Sequence, residues 1–181
     1  MTSTRPFEYA SSLHEFAVSE KEFLRQNLQY NVLCTGIIVF NTEGKLLLVQ
    51  RAAEESAFPN AWEIPGGKVD ESDETLLHGA VRELQEETGL TATKIVRKVA
   101  EFEFGDVKKS TRWLKQIFEM EVQNCEHVVL DPIEHQRYLW AGEDDVKQDR
   151  VGDVELNYIN NDNKHVKLQA FRRRREVMDQ S

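Results

Sequence analysis

Long apolar runs are missing from this 181-residue chain. No stretch reaches the roughly 18 apolar residues of a membrane-spanning helix, and Met1 to Pro6 is polar where a secretory signal would carry its apolar core. No membrane partner is therefore expected, and the expected location is cytoplasmic. Cysteine is scarce. Cys34 and Cys125 sit among strand-like residues and read as buried free thiols of a reducing compartment, not as a disulfide framework. Positive charge is in deficit: 23 Lys and Arg face 32 Asp and Glu, a net charge of −9. That balance argues against general nucleic-acid binding, which needs basic surface. Internal repeats and linkers are also absent. Residues 1–181 are expected to form one domain, loosely ordered over 1–12 and with its core over about 30–180. A chain that is 40% hydrophobic and 30% charged can bury a real core.

Local signals predict an α/β chain. Ser19-Glu20-Lys21-Glu22 has the capping-box form of a short helix. Val32 to Phe40 and Lys45 to Arg51 read as strands joined by the turn Asn41 to Gly44, hence a hairpin. A helix is expected from about Glu74 to Thr88, capped by Ser72 or Asp73 and stopped by Gly89, with Leu76, Leu77, Ala80, Val81 and Leu84 on its apolar face. Strands follow at Lys94–Phe104, Thr111–Gln123 and Arg137–Ala141, with a loop over Gly105 to Ser110. Glu143 to Asp149 can begin a helix, Val151 to Asn163 is ambiguous, and Val166 to Met178 reads as a helix with Leu168, Phe171 and Val177 inward. This alternation suggests helices on both faces of a mixed sheet, an α/β/α sandwich.

The central helix carries the most informative residues. Glu83, Glu86 and Glu87 stand at i, i+3 and i+4, where side chains are neighbours and like charges repel. A hard divalent cation relieves such crowding, and Mg²⁺ typically binds through a few carboxylates plus the phosphates of a substrate. In a chain this acidic, a bound cation supplies the local positive charge a phosphate requires. The spacing predicts Glu83, Glu86 and Glu87 as ligands of Mg²⁺, with Mn²⁺ as an alternative. The Pro65-Gly66-Gly67 turn lies just upstream, where missing side chains let backbone approach a ligand.

From Glu74 through Arg82-Glu83-Leu84-Gln85-Glu86-Glu87-Thr88-Gly89-Leu90, the chain resembles the signature of the Nudix hydrolases without a substitution. Upstream it departs: six residues separate Gly67 from Glu74, where the family's usual spacing is five. The preferred expectation is a one-residue bulge over Asp70 to Asp73, with Glu74 inside the helix and near Arg82. The alternative gives Asp73 part of Glu74's role. The resemblance implies an α/β/α sandwich and a metal-dependent diphosphatase. Its substrate is expected to be a small molecule, a nucleoside diphosphate linked to another moiety. A non-nucleotide diphosphate such as an isoprenoid diphosphate, or a catalytically silent ligand-binding domain, is the alternative. A homodimer is compatible with such a chain.

The resemblance also implies a general base outside the helix. Glu134, in Pro132-Ile133-Glu134-His135 ahead of Tyr138-Leu139-Trp140, is the first candidate and Glu119 the second; His135 reads as a packing or surface residue. For substrate, Arg51 at a strand end can bind a phosphate, and Gly66 and Gly67 offer backbone groups. Phe58, Trp62, Phe102 and Trp113 can stack a base, with core packing the better expectation for at least two of them.

Overall fold

Two apolar strands that start as a hairpin end in different sheets. The computed structural model describes residues 7–106 and 110–179; the expected loose order of Met1–Pro6 and the middle of the Gly105–Ser110 loop fall outside them. The elements run β1 (Glu8–Tyr9), a 3₁₀ turn (Ser11–Phe16), α1 (Glu20–Gln26), β2 (Val32–Ile38), β3 (Leu46–Arg51), β4 (Trp62–Glu63), α2 (Leu76–Thr88), β5 (Ala92–Asp106), β6 (Thr111–Val122), β7 (His135–Ala141), α3 (Glu143–Gln148), β8 (Arg150–Val151), β9 (Val154–Glu155) and α4 (Asn161–Met178). One sheet has the order β1-β5-β6-β2, a second β4-β3-β7, and β8-β9 form a small third.

The expected β2–β3 hairpin is corrected. It holds only at its closed end, where Phe40 bridges Leu46 and Leu47 N–H donates to the Val39 carbonyl at 2.9 Å. Beyond that point β2 turns to β6, in parallel from Val32↔Trp113 to Ile38↔Glu119, and β3 pairs antiparallel with β4 and β7. The first sheet is mixed, because β5–β6 is antiparallel while β1–β5 and β2–β6 are parallel.

The core lies on two sides. Leu76, Leu77, Ala80, Val81 and Leu84 of α2 are buried with Leu33, Ile37 and Phe118 on one side. On the other, Val166, Ala170 and Phe171 of α4 pack with Trp62, Ile64 and Ile117. Helices therefore cover both faces, as the α/β/α expectation requires. Three local expectations change. The N-terminal segment is ordered from β1, whose Glu8 and Tyr9 pair with β5, into the 3₁₀ turn. α4 starts five residues earlier than the apolar pattern indicates, capped by Asn160, whose side chain accepts from Asn163 N–H. Its Val177 is 44% exposed, near the helix end. Cys34 is buried and Cys125 half-buried, both as free thiols; burial pushes Cys34 up to about 11. Among the described residues, no helix is long and apolar enough to cross a membrane.

Candidate active site

The acidic helix is anchored at its start by Thr75, not by Ser72 or Asp73 as expected. The Thr75 hydroxyl accepts from His78 N–H at 3.3 Å, and Gly89 closes the helix in the left-handed conformation at φ 68°. Because the helix begins at Leu76, Glu74 lies outside it. Its side chain is 81% exposed and faces His78 at 3.7 Å. Asp73 turns inward instead. Its Oδ1 accepts from Arg82 Nε at 2.9 Å, and its Oδ2 from Arg82 Nη2 at 2.8 Å and from Asp70 N–H at 2.8 Å. The expectation that Glu74 sits in the helix beside Arg82 is thus corrected. With one residue more in the loop and Thr75 as cap, Asp73 is the acid that reaches back to the guanidinium.

Arg82 is a hub. Its Nη1 also donates to Glu83 Oε1 at 2.8 Å and Glu86 Oε2 at 2.9 Å, and its Nη2 to the Lys68 carbonyl at 3.1 Å. It ties the glycine turn to the helix and holds two of the three acids in place.

The glycine turn presses onto this helix. Gly66 has φ 144° and donates its N–H to Glu87 Oε2 at 2.9 Å. A β-carbon there would strike the Thr35 carbonyl oxygen of β2. A β-carbon on Gly67 would come within 2.5 Å of Glu83 Oε2. Gly66 accepts only glycine, and a side chain at Gly67 would displace the Glu83 carboxylate; the pair brings backbone to the acids at close range.

The three acids of the helix differ in environment. Glu87 is 3% exposed, and burial, reinforced by Glu63, Glu83 and Glu134, raises its pKa well above the carboxylate range despite the Gly66 hydrogen bond. Burial also raises Glu83, against the pull of Arg82 and with the push of Glu86 and Glu134. Glu86 lies at the rim with its side chain 60% exposed. Glu134, outside the helix, converges on them. One ligand atom each of Glu87, Glu134 and His135 lie within 4.8 Å of one another.

Glu134 is placed by the strand below it. β3 and β7 shift register between Gln50 and Arg51, so that Arg51 pairs with His135, and Ala52 N–H donates to the Glu134 carbonyl at 2.8 Å. A bulge of this kind re-aims a side chain. His135 is 2% exposed; its Nε2 lies 3.1 Å from Glu63 Oε1, while its Nδ1 is buried without a partner. A buried histidine beside the buried Glu87 carboxylate and the exposed Glu134 carboxylate is a donor set that fits a divalent cation. Glu83, Glu87 and Glu134 are the carboxylates positioned to hold one, with Glu86 at the edge.

Other expected site residues are engaged in different contacts. Trp62 is 1% exposed and belongs to the core, so its ring is not open to a base. Arg51 is committed: Nη1 to Glu63 at 3.0 Å, Nη2 to Glu55 at 3.1 Å and Nε to the Ala57 carbonyl at 2.9 Å. Glu119 faces α4, paired with Arg97 at 3.0 Å, and its charged neighbours are Arg97, Arg174 and Glu121, not the acids of α2. Glu63 went unnoticed in the sequence. It is 6% exposed; burial opposes its charge, but the His135 hydrogen bond and the charges of Lys115 and Arg51 hold its pKa low. An acid between the apolar Trp62 and Ile64 was the available signal.

Phe58, Phe102, Phe104 and Trp113 line a cavity of about 540 Å³ together with Lys115 and Asn163. Phe58 is 55% exposed and held at φ 51°, a left-handed conformation unusual for a bulky side chain.

The sequence pattern of the NUDIX domain matches residues 31–160. An RNA pyrophosphohydrolase of Bartonella quintana (strain Toulouse) is 35% identical over 85 residues, 45% of this chain and 48% of that protein. The chain thus spans about half the length of that relative. The CTP pyrophosphohydrolase of Escherichia coli (strain K12) is 32% identical over 110 residues, 61% of this chain and 76% of that protein. The MutT protein from Methanosarcina mazei Go1 superposes with a TM-score of 0.62 at 23% identity, over 80% of this chain and 94% of that one. With the glycine turn seated on an Arg82-organised acidic helix and a NUDIX match over most of its length, the chain belongs to the Nudix family.

Proposed function

We propose that this chain is a divalent-cation-dependent pyrophosphohydrolase acting on the diphosphate linkage of a nucleotide-derived substrate in the cytoplasm. The observation that carries the proposal is the convergence of Glu87, Glu134 and His135 near Glu83. The raised pKa values of Glu83 and Glu87 mark acids crowded and desolvated beyond what their own hydrogen bonds offset, and strongly perturbed groups cluster at functional sites. Mg²⁺ is the candidate cation, with Mn²⁺ as substitute; when bound, it neutralises phosphate charge and lowers the pKa of water.

The protein's own groups have distinct parts. Glu83 and Glu87 would hold the cation, with Glu86 joining them from the rim. Arg82, fixed by Asp73, orients Glu83 and Glu86. Glu134 is exposed and beside Glu87, so its carboxylate can accept a proton from the attacking water. The aromatic cavity takes the flat base, since Phe58 and the β5–β6 rings line it together and aromatic faces favour stacking.

Two relatives are named for RNA and CTP pyrophosphohydrolysis. The net charge of −9 favours the small nucleotide over the polymer. The test is a substrate panel with Mg²⁺ that includes nucleoside triphosphates, nucleoside diphosphates linked to a second moiety, a 5′-triphosphorylated RNA and an isoprenoid diphosphate. Phosphate, pyrophosphate and nucleoside monophosphate would be quantified. Turnover of a nucleotide, abolished by EDTA, is expected. Turnover confined to the isoprenoid compound, or none at all, would refute the proposal.

A further inference from the structure

The cation expected at the substrate, Arg51, is locked to Glu55 and Glu63. A different cation lines the aromatic cavity. Lys115 lies on β6 among the cavity-lining residues. Its aliphatic stem crosses the floor of the site: a β-carbon built on Gly36 would sit 3.0 Å from Lys115 Cε. Gly36 in turn underlies the glycine turn, since a β-carbon on Gly66 would come 2.7 Å from Gly36 Cα. Gly66 then holds Glu87. The aromatic rings, Lys115, the glycine turn and Glu87 therefore follow one another along a path of close approaches.

Lys115 is available along that path. The charge of Glu63 reaches it, yet the oxygen of Glu63 that forms close contacts is already shared by Arg51 at 3.0 Å and His135 at 3.1 Å. No hydrogen bond or ion pair of the Lys115 ammonium is found among the described residues, though it lies on a half-buried residue. Lys167, its cationic neighbour on α4, is enclosed: 1% exposed, its Nζ donates to the Asn163 carbonyl at 2.9 Å and lies 4.6 Å from the Tyr158 ring centre. Among the described residues that line the cavity, Lys115 is the cation left to meet an incoming anion.

We infer that Lys115 is the specificity-determining residue that binds the phosphate nearest the sugar of a nucleoside 5′-phosphate unit whose base lies between Phe58 and the β5–β6 aromatics. This rests on the nucleotide reading of the site above. A compact ammonium with three donors suits a tetrahedral phosphate oxygen set. Placed on the wall of the base cavity, it presents the next phosphate of the chain to Glu87 and Glu134. It also accounts for how an acidic site receives a polyanion from its cavity side.

The experiment is calorimetric and needs no turnover. With EDTA present, the full chain is titrated with the four common ribonucleoside 5′-monophosphates and with the matching nucleosides. The wild type is expected to bind at least one monophosphate about tenfold or more tighter than its nucleoside, as one charge-assisted contact gives. In Lys115→Gln that ratio should fall to near one with nucleoside affinity unchanged, and Lys115→Arg should restore most of it. If Lys115→Gln keeps the wild-type ratio, Lys115 does not hold the phosphate. If Lys115→Gln weakens nucleoside and monophosphate equally, Lys115 only shapes the cavity, and the inference falls. If the wild type binds neither ligand and turns over no nucleotide in the substrate panel, the nucleotide reading itself fails, a distinct outcome.

Discussion

The loop before the acidic helix makes two adjacent acids unequal, and that inequality is measurable. Asp73 accepts two hydrogen bonds from Arg82 and one from Asp70 N–H, with its side chain 5% exposed. Glu74 is 81% exposed, with only a 3.7 Å approach to His78. Removing one partner of a buried ion pair costs roughly 3–5 kcal/mol. Arg82 is 25% exposed and keeps Glu83 and Glu86 as partners, which points to the lower end, about 3 kcal/mol, for Asp73→Ala. Glu74→Ala, a surface change, should stay within about 0.5 kcal/mol. Denaturant unfolding of the metal-free protein measures both, and for a chain of this size about 3 kcal/mol corresponds to a melting shift on the order of 6–12 °C. Asp73→Ala should also reduce turnover, because Arg82 then no longer fixes Glu83. If Glu74→Ala costs as much as Asp73→Ala, Glu74 and not Asp73 holds Arg82, and the account of the loop is wrong.

The remaining expectations concern the base, two buried groups and the glycine turn. Glu134→Gln should lower kcat by about 10²–10⁴-fold with little change in cation affinity, while Glu119→Gln, on β6 and paired with Arg97, should do far less; the reverse order would move the base to the strand. Glu83 and Glu87 have raised pKa values in the fold, so the folded metal-free protein binds more protons than the unfolded chain above the ordinary carboxylate range. Its melting temperature should therefore fall as pH rises from about 4.5 through their folded values, and Mg²⁺ should restore more stability at pH 7.5 than at pH 5.5; equal restoration at both would deny these acids the cation. Burial, with Lys115 beside it, lowers Lys167 to about 7 from its ordinary 10.5, so Lys167→Met should stabilise by about 1–4 kcal/mol below pH 7. That gain should shrink steadily toward pH 10.5, and a gain independent of pH would mean the ammonium is not the cost. Gly66→Ala should abolish folding or activity, because its β-carbon meets the Thr35 carbonyl oxygen; a stable, active variant would contradict the geometry of the turn.

The parts of the fold legible in the sequence are those governed by near neighbours. α2 carries its apolar face at helical spacing and its stop at Gly89, and all five of the inward residues expected there are buried. The pairing of β2 with β6 was not legible, because Val32 finds Trp113 across some eighty residues and in parallel, while the turn at Asn41–Gly44 signals only the local bridge. The motif's spacing marked Asp73 and Glu74 as rivals. Which one turned inward depended on where the helix starts, and the Thr75 cap decides that. Trp62 and Phe58 look alike as aromatics, yet one lies under β3 and the other on a left-handed loop. Arg51 looked free because Glu63, the acid that holds it, is twelve residues beyond it on another strand. Lys115 was overlooked because strand periodicity says which face it takes, not that a cavity opens there.

The central claim is that the desolvated acids of α2 hold the cation that hydrolyses a diphosphate. The most direct measurement is turnover of the best nucleotide substrate by Glu87→Gln at saturating Mg²⁺, beside its melting temperature in EDTA. Glutamine keeps the shape and removes the buried charge. Turnover should fall by at least about 100-fold, since metal catalysis supplies several kcal/mol, while the metal-free variant melts no lower than the wild type. Near-normal turnover, or a loss matched by collapse of the fold, would contradict the account.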